Sequence, residues 1–232
     1  MQKATIVFSI DDGRKDMYQL AKEILIPKKV PATLNITTNK AFFEMKQLPW
    51  ISKEELLEIG QNPLFEIANH TDTHSNEYDD IRKGFEVLCD WFGYDTSKPI
   101  GFASPGSQIS IEYAKEHTHE LQALGVKYVR TCNADEFFNK ADNIFALTSY
   151  AVRNEITVQT LKEAADEAIQ NNHCLIYLFH SVLKPGQSNY GNDWSYDFDK
   201  FNELVEYILQ LQKEGKVEIM TTMDYVNKRL SE

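Results

Sequence analysis

The sequence has few cysteines and no cysteine pair in a metal-binding arrangement. Its three cysteines, Cys89, Cys132 and Cys174, are odd in number and widely spaced, and no C-x-x-C motif occurs. This pattern argues against a disulfide framework and against a structural zinc knot. We therefore expect three reduced thiols, most of them buried.

A long apolar run is also missing. No window approaches the ~20 apolar residues that a transmembrane helix needs, so we predict no membrane span. The first ten residues, MQKATIVFSI, lack the long apolar segment of a signal peptide. The expected location is the cytoplasm if the chain is full-length, and the cell wall or exterior if a signal was trimmed.

An excess of positive charge is missing as well. The 35 acidic residues outnumber the 24 Lys and Arg residues, which gives a formal net charge of −11. An acidic protein without a basic stripe is a poor partner for nucleic acid or for an anionic membrane surface. The sequence gives no indication of an oligomeric state.

Short apolar runs alternate with amphipathic segments along the whole chain, with no linker or repeat between them. Strands are predicted at 3–10, 32–36, 64–69, within 99–105, and at 126–131, 143–150, 174–180 and 216–222. Helices are predicted at 17–29, from a Ser52–Glu55 capping box onward, and at 78–92, 111–124, 157–171 and 198–212. Seven or eight β-α units in one domain, residues 1–232, favour an irregular parallel barrel over an open sheet.

Chemically reactive side chains follow several of these predicted strands. In a parallel barrel such side chains meet at one face, at the carboxyl ends of the strands. The residues at strand ends are Asp11, Asp12, His70, His74, Arg130 and His180. The other three histidines of the chain lie in or beside helices and are expected at the surface.

These residue types are suited to metal-assisted hydrolysis. The His-x-x-x-His spacing of His70 and His74 lets two imidazoles reach one ion, although the spacing alone is weak evidence. A catalytic zinc site commonly has three protein ligands, so one strand-end aspartate is a sensible third. The other aspartate would then take a proton from a metal-activated water, and His180 would protonate the leaving group.

Three motifs in order resemble those of the polysaccharide deacetylases of carbohydrate esterase family 4, also called the NodB homology domain. The family's T-F-D-D-G appears as Ser9–Gly13, its H-[ST]-x-x-[HD] as His70–His74, and its L-x-H as Leu178–His180. The resemblance spans nearly the whole chain. It implies an α/β fold of one domain, a distorted (β/α) barrel with about seven parallel strands.

The resemblance also implies a metal site. Asp12, His70 and His74 match the positions of the family's metal ligands. The cofactor would be a divalent metal, with zinc the first expectation and cobalt, nickel or manganese as alternatives, because mixed imidazole and carboxylate ligation suits all four.

The remaining roles follow by position in the same motifs. Asp11 matches the general base, His180 the general acid, and Leu178 a wall of the pocket for the acetyl methyl group. The implied reaction is removal of an N- or O-acetyl group from an acetylated sugar, oligosaccharide or polysaccharide.

The third family motif, roughly R-x-P-[YFW], is altered here to Ala103–Gly106. Its arginine, which pairs with the base aspartate in the family, is missing. Pro105 matches, and the N–H of Gly106 can still serve an oxyanion hole. Our hypothesis is that Arg130 replaces the lost arginine from a neighbouring strand, with Arg14 a weaker candidate.

The fourth motif, D-x-x-D-W, is not recognisable. The aspartate that would orient His180 is therefore open among Asp135, Asp193 and Asp197. The loop after His180 contains Trp194, which we predict to stack on a sugar ring or to pack the loop against the domain.

Two other readings stay open. One is a hydrolase of a non-sugar amide on the same fold, and the other is a catalytically quiet carbohydrate-binding relative. The survival of all five metal and acid/base positions argues against both. The acidic charge and the absence of a visible signal favour a small acetylated sugar or an oligosaccharide inside the cell over a cell-wall polymer, unless a signal was removed.

Overall fold

A sheet of almost wholly buried strands lies at the centre of the protein. The structure is a computed structural model, which describes residues 3–133, 136–139 and 143–231. The strands are β1 (Ala4–Ile10), β2 (Ala32–Ile36), β3 (Phe65–Asn69), β4 (Ile100–Ala103), β5 (Val126–Arg130), β6 (Phe138–Asn139), β7 (Tyr150–Ala151), β8 (Cys174–Phe179), β9 (Ser181–Leu183), β10 (Ser195–Asp197) and β11 (Val217–Ile219).

The sheet order is β5-β4-β3-β2-β1-β8-β6, with β7 also paired to β8 and β11 paired to β1. Every pairing in the path is parallel except that of the two-residue β6. Arg130 at the end of β5 forms a parallel bridge to Leu147, which lies shortly before β7. The segment 144–151 therefore connects β5 to β8 and curls the sheet into the distorted barrel that was predicted.

Helices cover the outside of the sheet, as the β-α alternation requires. They are α1 (Lys15–Leu20), which continues through a π-helical turn (Ala21–Leu25) into α2 (Ile26–Lys28), α3 (Ala41–Met45), α4 (Lys53–Gly60), α5 (Tyr78–Phe92), α6 (Ile111–Glu116), α7 (Thr118–Ala123), α8 (Val158–Asn171), α9 (Phe198–Lys213) and α10 (Thr222–Ser231). The predicted capping box forms at α4, where Ser52 and Glu55 exchange hydrogen bonds. None of the helices in these ranges is both long enough and apolar enough to cross a membrane.

Three predicted elements differ from the structure. The helix predicted at 111–124 is broken at His117, whose φ of −105° and ψ of 26° interrupt the helical run. The strand predicted at 143–150 is a turn followed by the single bridge at Leu147, and regular pairing begins only at Tyr150. The last strand ends at Ile219 instead of 222, because Thr222 already begins α10. The sequence pattern also missed two helices, α3 and α10.

The end of the barrel opposite the carboxyl ends of the strands contains a half-buried acid, Glu66. Glu66 in β3 accepts hydrogen bonds from the Tyr128 hydroxyl (2.6 Å), the Thr33 hydroxyl (2.9 Å) and the backbone N–H of Met223 (2.8 Å). Burial raises the pKa of Glu66, although these donors act against the rise. The contact with Met223 places the carboxylate at the start of α10, where the helix dipole favours negative charge.

The thiols agree with the expectation from the sequence. Cys89, Cys132 and Cys174 are all free, and two of them are buried while Cys132 is half-buried.

Candidate active site

The carboxyl ends of the strands bring the predicted site residues together. The backbone N–H of Asp11 donates to the carbonyl of Phe179 (2.8 Å), which places the end of β1 beside the end of β8 and His180. The N–H of His70 donates in the same way to Ile36 at the end of β2 (2.9 Å). Parallel pairing alone therefore assembles side chains from distant parts of the sequence at one face.

Asp11 and Asp12 lie on the same side of the chain although they are neighbours. Successive side chains of an extended strand point to opposite faces. Asp12 breaks this alternation with a φ of 80°, in the left-handed region that Asp tolerates better than most residues. Both carboxylates consequently approach the Nε2 atom of His70, at 3.9 Å from Asp11 Oδ2 and 3.5 Å from Asp12 Oδ1.

Asp12, His70 and His74 form a cluster with the composition of a metal site. Their nearest ligand atoms all lie within 4.8 Å of one another, and His74 Nε2 is 3.4 Å from Asp12 Oδ1. Asp12 Oδ1 is buried and has no hydrogen-bond partner among the described residues. A buried polar atom without a partner is costly, so this oxygen is suited to a ligand that the protein itself does not provide.

The histidines are oriented for the same purpose. His70 Nδ1 lies 2.8 Å from the carbonyl oxygen of Ala103, and because a carbonyl only accepts, Nδ1 must be the protonated nitrogen. The other ring nitrogen, Nε2, faces Asp12, as in many metal sites where a second hydrogen bond fixes the orientation of the histidine. His74 stacks on the ring of Phe42, with ring centroids 4.5 Å apart.

The loop that joins the two histidines is held by a nearby helix. Asp80 in the first turn of α5 accepts hydrogen bonds from the backbone N–H groups of Thr73 and Ser75, at 3.0 to 3.1 Å. His74 adopts a positive φ of 63° within this loop.

The imidazole nitrogens of His70 and His74 and the free oxygen of Asp12 together fit a divalent metal in both chemistry and orientation.

Asp11 has a different environment from Asp12. Its Oδ1 atom accepts hydrogen bonds from Arg130 Nη2 (2.5 Å) and from Asn35 Nδ2 (2.8 Å). Burial alone would raise the pKa of Asp11, but Arg130, His70 and His180 outweigh it, so the pKa is lowered. The carboxylate is held ionised, as a proton acceptor must be.

Arg130 lies where the hypothesis about the lost arginine requires it. Its side chain is 1% exposed, and its charge is paired with Asp11 across two strands that are distant in sequence. Arg14, the weaker candidate, contacts the other aspartate, with Nε 2.7 Å from Asp12 Oδ2. The effect of Arg130 on turnover stays a prediction.

His180 lies beside both aspartates and packs against a loop tryptophan. Its ring centroid is 4.6 Å from that of Trp194, and the Arg153 guanidinium lies 4.3 Å from the Trp194 ring centre. Trp194 is 38% exposed and stands next to the site, with one contact to His180 and one to a cation. The pKa of His180 is lowered, and burial is the largest cause. Arg14 and His70 add to this effect, whereas the nearby Asp12 and Asp11 act against it.

The aspartate that would orient His180 is not found among the described residues. His180 Nδ1 is buried and has no hydrogen-bond partner there. Asp197 caps α9 through the N–H groups of Asp199 and Lys200 and accepts from a tyrosine hydroxyl, and Asp193 is exposed. Asp135, the third candidate, lies outside the described residues.

The remaining predicted residues lie in β8 and in the turn that follows β4. Leu178 in β8 is 4% exposed and lies two residues before His180, which puts it on the same face of the strand. Pro105 is buried, and its carbonyl accepts a hydrogen bond from Asn76 (2.8 Å). Gly106 is exposed with a φ of 57°, a conformation that favours glycine.

Sequence reasoning missed Asn35. It is an amide within the wholly buried strand β2, and it donates to both Ser9 (2.8 Å) and Asp11 (2.8 Å). A polar residue inside an otherwise apolar buried run is a signal that could have identified it, because such a group needs a partner.

The fold and the site together define a hydrolase built on a (β/α) barrel with a metal-type ligand cluster at its carboxyl face. The polysaccharide deacetylase family model matches residues 1–129, more than half of the chain. The chain belongs to the polysaccharide deacetylase family, and this family together with its esterase and deacetylase neighbours identifies it as a hydrolase of amide or ester bonds. No curated protein sequence matches it.

Several solved structures share the fold at low sequence identity. The Bc1960 peptidoglycan N-acetylglucosamine deacetylase is 19% identical, with a TM-score of 0.53 over 94% of this chain and 86% of its own. A family 4 acetyl xylan esterase from Clostridium thermocellum, solved with a cobalt ion, is 15% identical, with a TM-score of 0.52 over 95% and 89%. A mutant of BA3943, a CE4 family pseudoenzyme with restored activity, is 14% identical, with a TM-score of 0.51 over 97% and 68%.

Proposed function

We propose that this protein is a metal-dependent deacetylase that removes acetyl groups from an acetylated sugar or oligosaccharide. The observation that supports it most directly is the unpartnered, buried Oδ1 of Asp12, which faces Nε2 of both His70 and His74. These three residues would hold a divalent cation. When bound, such a cation supplies Lewis acidity, which polarises a carbonyl and lowers the pKa of a coordinated water.

The chain's own residues would move the protons. Asp11, ionised and held by Arg130 and Asn35, accepts a proton from the attacking water. His180 donates a proton to the departing sugar nitrogen or oxygen as the bond to the acetyl carbon breaks. The N–H of Gly106 is the candidate donor to the oxygen that becomes negative, in place of part of the altered third motif.

The substrate class rests on the family and on its structural relatives. Two of these relatives are a peptidoglycan N-acetylglucosamine deacetylase and an acetyl xylan esterase. Both act on acetylated carbohydrates, which differ in the atom that carries the acetyl group. We therefore propose a carbohydrate substrate, with the choice between amide and ester to be decided by assay.

The alternative of a catalytically quiet relative has one observation behind it. BA3943 shows that a pseudoenzyme exists on this fold. In the present chain, however, both aspartates are in place and the base has an arginine partner. A hydrolase of a non-sugar amide is the second alternative, and it differs only in substrate.

Acetate release by the metal-loaded protein tests the proposal. The substrates are N-acetylglucosamine oligomers, acetylated xylo-oligosaccharides and a simple N-acetylated amine. We expect turnover of at least one acetylated sugar, with a loss of ~10²–10⁴ in kcat for Asp11→Asn and for His180→Ala. Arg130→Met should lose ~10²–10³, as expected when a charge partner in the site is removed.

His119→Ala is the matched control, because His119 is an exposed histidine on α7. It should leave turnover unchanged. Release of acetate from the amine alone would move the substrate to non-sugar amides. No release from any substrate by a metal-loaded, folded protein would contradict the proposal and favour the quiet relative.

A further inference from the structure

Arg14 makes an unusual contact with one oxygen of Asp12. Its Nε donates a hydrogen bond to Asp12 Oδ2 at 2.7 Å, and its Nη2 lies 2.7 Å from the same oxygen as an ion pair. The third nitrogen, Nη1, donates to the hydroxyl of Ser181 at 3.0 Å. The side chains are 11% and 3% exposed for Arg14 and Asp12, so this contact is largely shielded from water.

The contact divides the two oxygens of Asp12 between two tasks. Oδ2 is occupied by the guanidinium, whereas Oδ1 is buried, without a partner, and faces the two histidines. A free carboxylate binds a cation through one or both of its oxygens. The rigid planar guanidinium is the side chain best suited to hold one carboxylate oxygen in a fixed direction.

The guanidinium is itself fixed from its far side. Ser181 is the first residue of β9 and is 3% exposed, so its hydroxyl has a defined position. The next residue, Val182, donates its backbone N–H to Asp16 in α1 (2.8 Å). Arg14 therefore lies between Asp12 and a strand start that α1 holds in place, and it cannot turn away without breaking buried hydrogen bonds.

We infer that Arg14 is a positioning residue that makes Asp12 a one-oxygen metal ligand and keeps Oδ2 out of the coordination sphere. The inference rests on the proposed metal site. Arg14 directly follows the Ser9–Gly13 motif, which gives it no role.

Removing Arg14 would have two opposite effects on metal affinity, and we expect the loss of orientation to be the larger one. Loss of a positive charge close to the site favours a bound cation. Loss of the orienting contact frees Oδ2, so that Asp12 either turns or binds through both oxygens. Changes to residues that orient metal ligands typically weaken affinity by ~10–100-fold, so we expect weaker binding by about that factor.

Titration with Co²⁺ alone, followed by visible absorption, tests the inference in the full chain. The Co²⁺ d–d absorption weakens and shifts as the coordination number rises, so it reports the binding mode of Asp12 independently of turnover. The variants are Arg14→Met and Arg14→Lys, and the control is Arg82→Met, an exposed arginine on α5 that pairs with Asp79.

We expect the wild-type protein and Arg82→Met to give the same spectrum and the same dissociation constant. Arg14→Met should give a weaker, shifted spectrum and a dissociation constant raised ~10–100-fold. Arg14→Lys keeps the charge but cannot present two nitrogens to one oxygen, so it should show the same spectral change. It also decides the question if Arg14→Met does not fold, as judged by circular dichroism.

An unchanged spectrum with a dissociation constant within about twofold, or tighter binding in either Arg14 variant, would overturn the inference. If the wild-type protein itself binds no Co²⁺, the proposed metal site fails instead. The two failures are therefore separate outcomes of one titration.

Discussion

At the scale of single residues, the adjacent carboxylates Asp11 and Asp12 differ because their partners differ. Asp11 accepts hydrogen bonds from Arg130 and Asn35, and the charge of Arg130 helps to keep it ionised. Asp12 accepts from Arg14 on one oxygen and leaves the other unpartnered. The positive φ of Asp12 lets two neighbours reach one site, which an extended chain does not allow.

Asp16 makes stability depend on pH in a direction opposite to that of most carboxylates. Burial raises its pKa from 3.8 to about 6, although the N–H of Val182 and the charge of Arg14 act against the rise. Between about pH 4 and pH 6 the folded protein thus holds a proton that the unfolded chain has lost. The free energy of unfolding therefore falls as pH rises through this window, by up to about 3 kcal/mol from this group.

The variant Asp16→Asn tests this linkage. Its amide oxygen can still accept from Val182, so the fold should persist, while the titration is removed. Relative to the wild type, its free energy of unfolding by urea should rise by about 2 kcal/mol between pH 4.5 and pH 7, because part of the window lies below pH 4.5. Asp90→Asn, at an exposed position of α5, should show no such trend. A wild-type-to-variant difference that stays constant over this range would contradict the prediction.

At the scale of elements, helix α5 sets the position of the histidine loop through a close approach. A Cβ atom on Gly84 would lie 2.4 Å from Asn69 Oδ1 and 2.7 Å from the backbone carbon of Thr71. Asn69 in turn accepts from the N–H of Thr71 (2.8 Å) and donates to the carbonyl of Ile81 (2.8 Å). The absent side chain at Gly84 thus lets α5 pack directly on the residues that flank His70.

Gly84→Ala is expected to destabilise the protein despite the better helix propensity of alanine. The propensity gain is at most about 1 kcal/mol, whereas overpacking costs ~1–3 kcal/mol. Metal affinity should weaken too, because the loop at His70 must shift. Urea unfolding and Co²⁺ titration measure the two effects, with Lys83→Ala on the exposed face of α5 as the control. A more stable Gly84→Ala variant with unchanged affinity would show that the loop does not depend on this contact.

Most strands and the convergence of the site residues could be predicted from the sequence, because apolar runs and the parallel β-α alternation determine both. Contacts between side chains that are brought together only by the fold could not be predicted. The contact between Arg14 and Asp12 has no sequence spacing that reveals it, and the polarity of Asn35 within a buried run indicates that it needs a partner but not which partner. The break at His117 has no glycine or proline to mark it, and α10 buries only a few residues, so its pattern is weak.

At the scale of the whole molecule, the two ends of the barrel have separate tasks. One end is closed by α10 over Glu66, whose hydrogen bonds come from the protein itself. The other end collects the strand-end residues and leaves a buried ligand oxygen without a partner. The segment 144–151 brings β5 against β8, which places Arg130 beside Asp11 in spite of the altered third motif.

The metal content of the purified native protein tests the proposed metal centre most directly. Mass spectrometry of the metal should find about one divalent ion per chain in the wild type, as for a site with three protein ligands. The ion should be lost in the double variant His70→Ala/His74→Ala and retained in His117→Ala/His119→Ala, which removes two histidines from the helical surface. No metal in the wild-type protein under metal-replete conditions, or full retention in the His70/His74 variant, would contradict the proposed site.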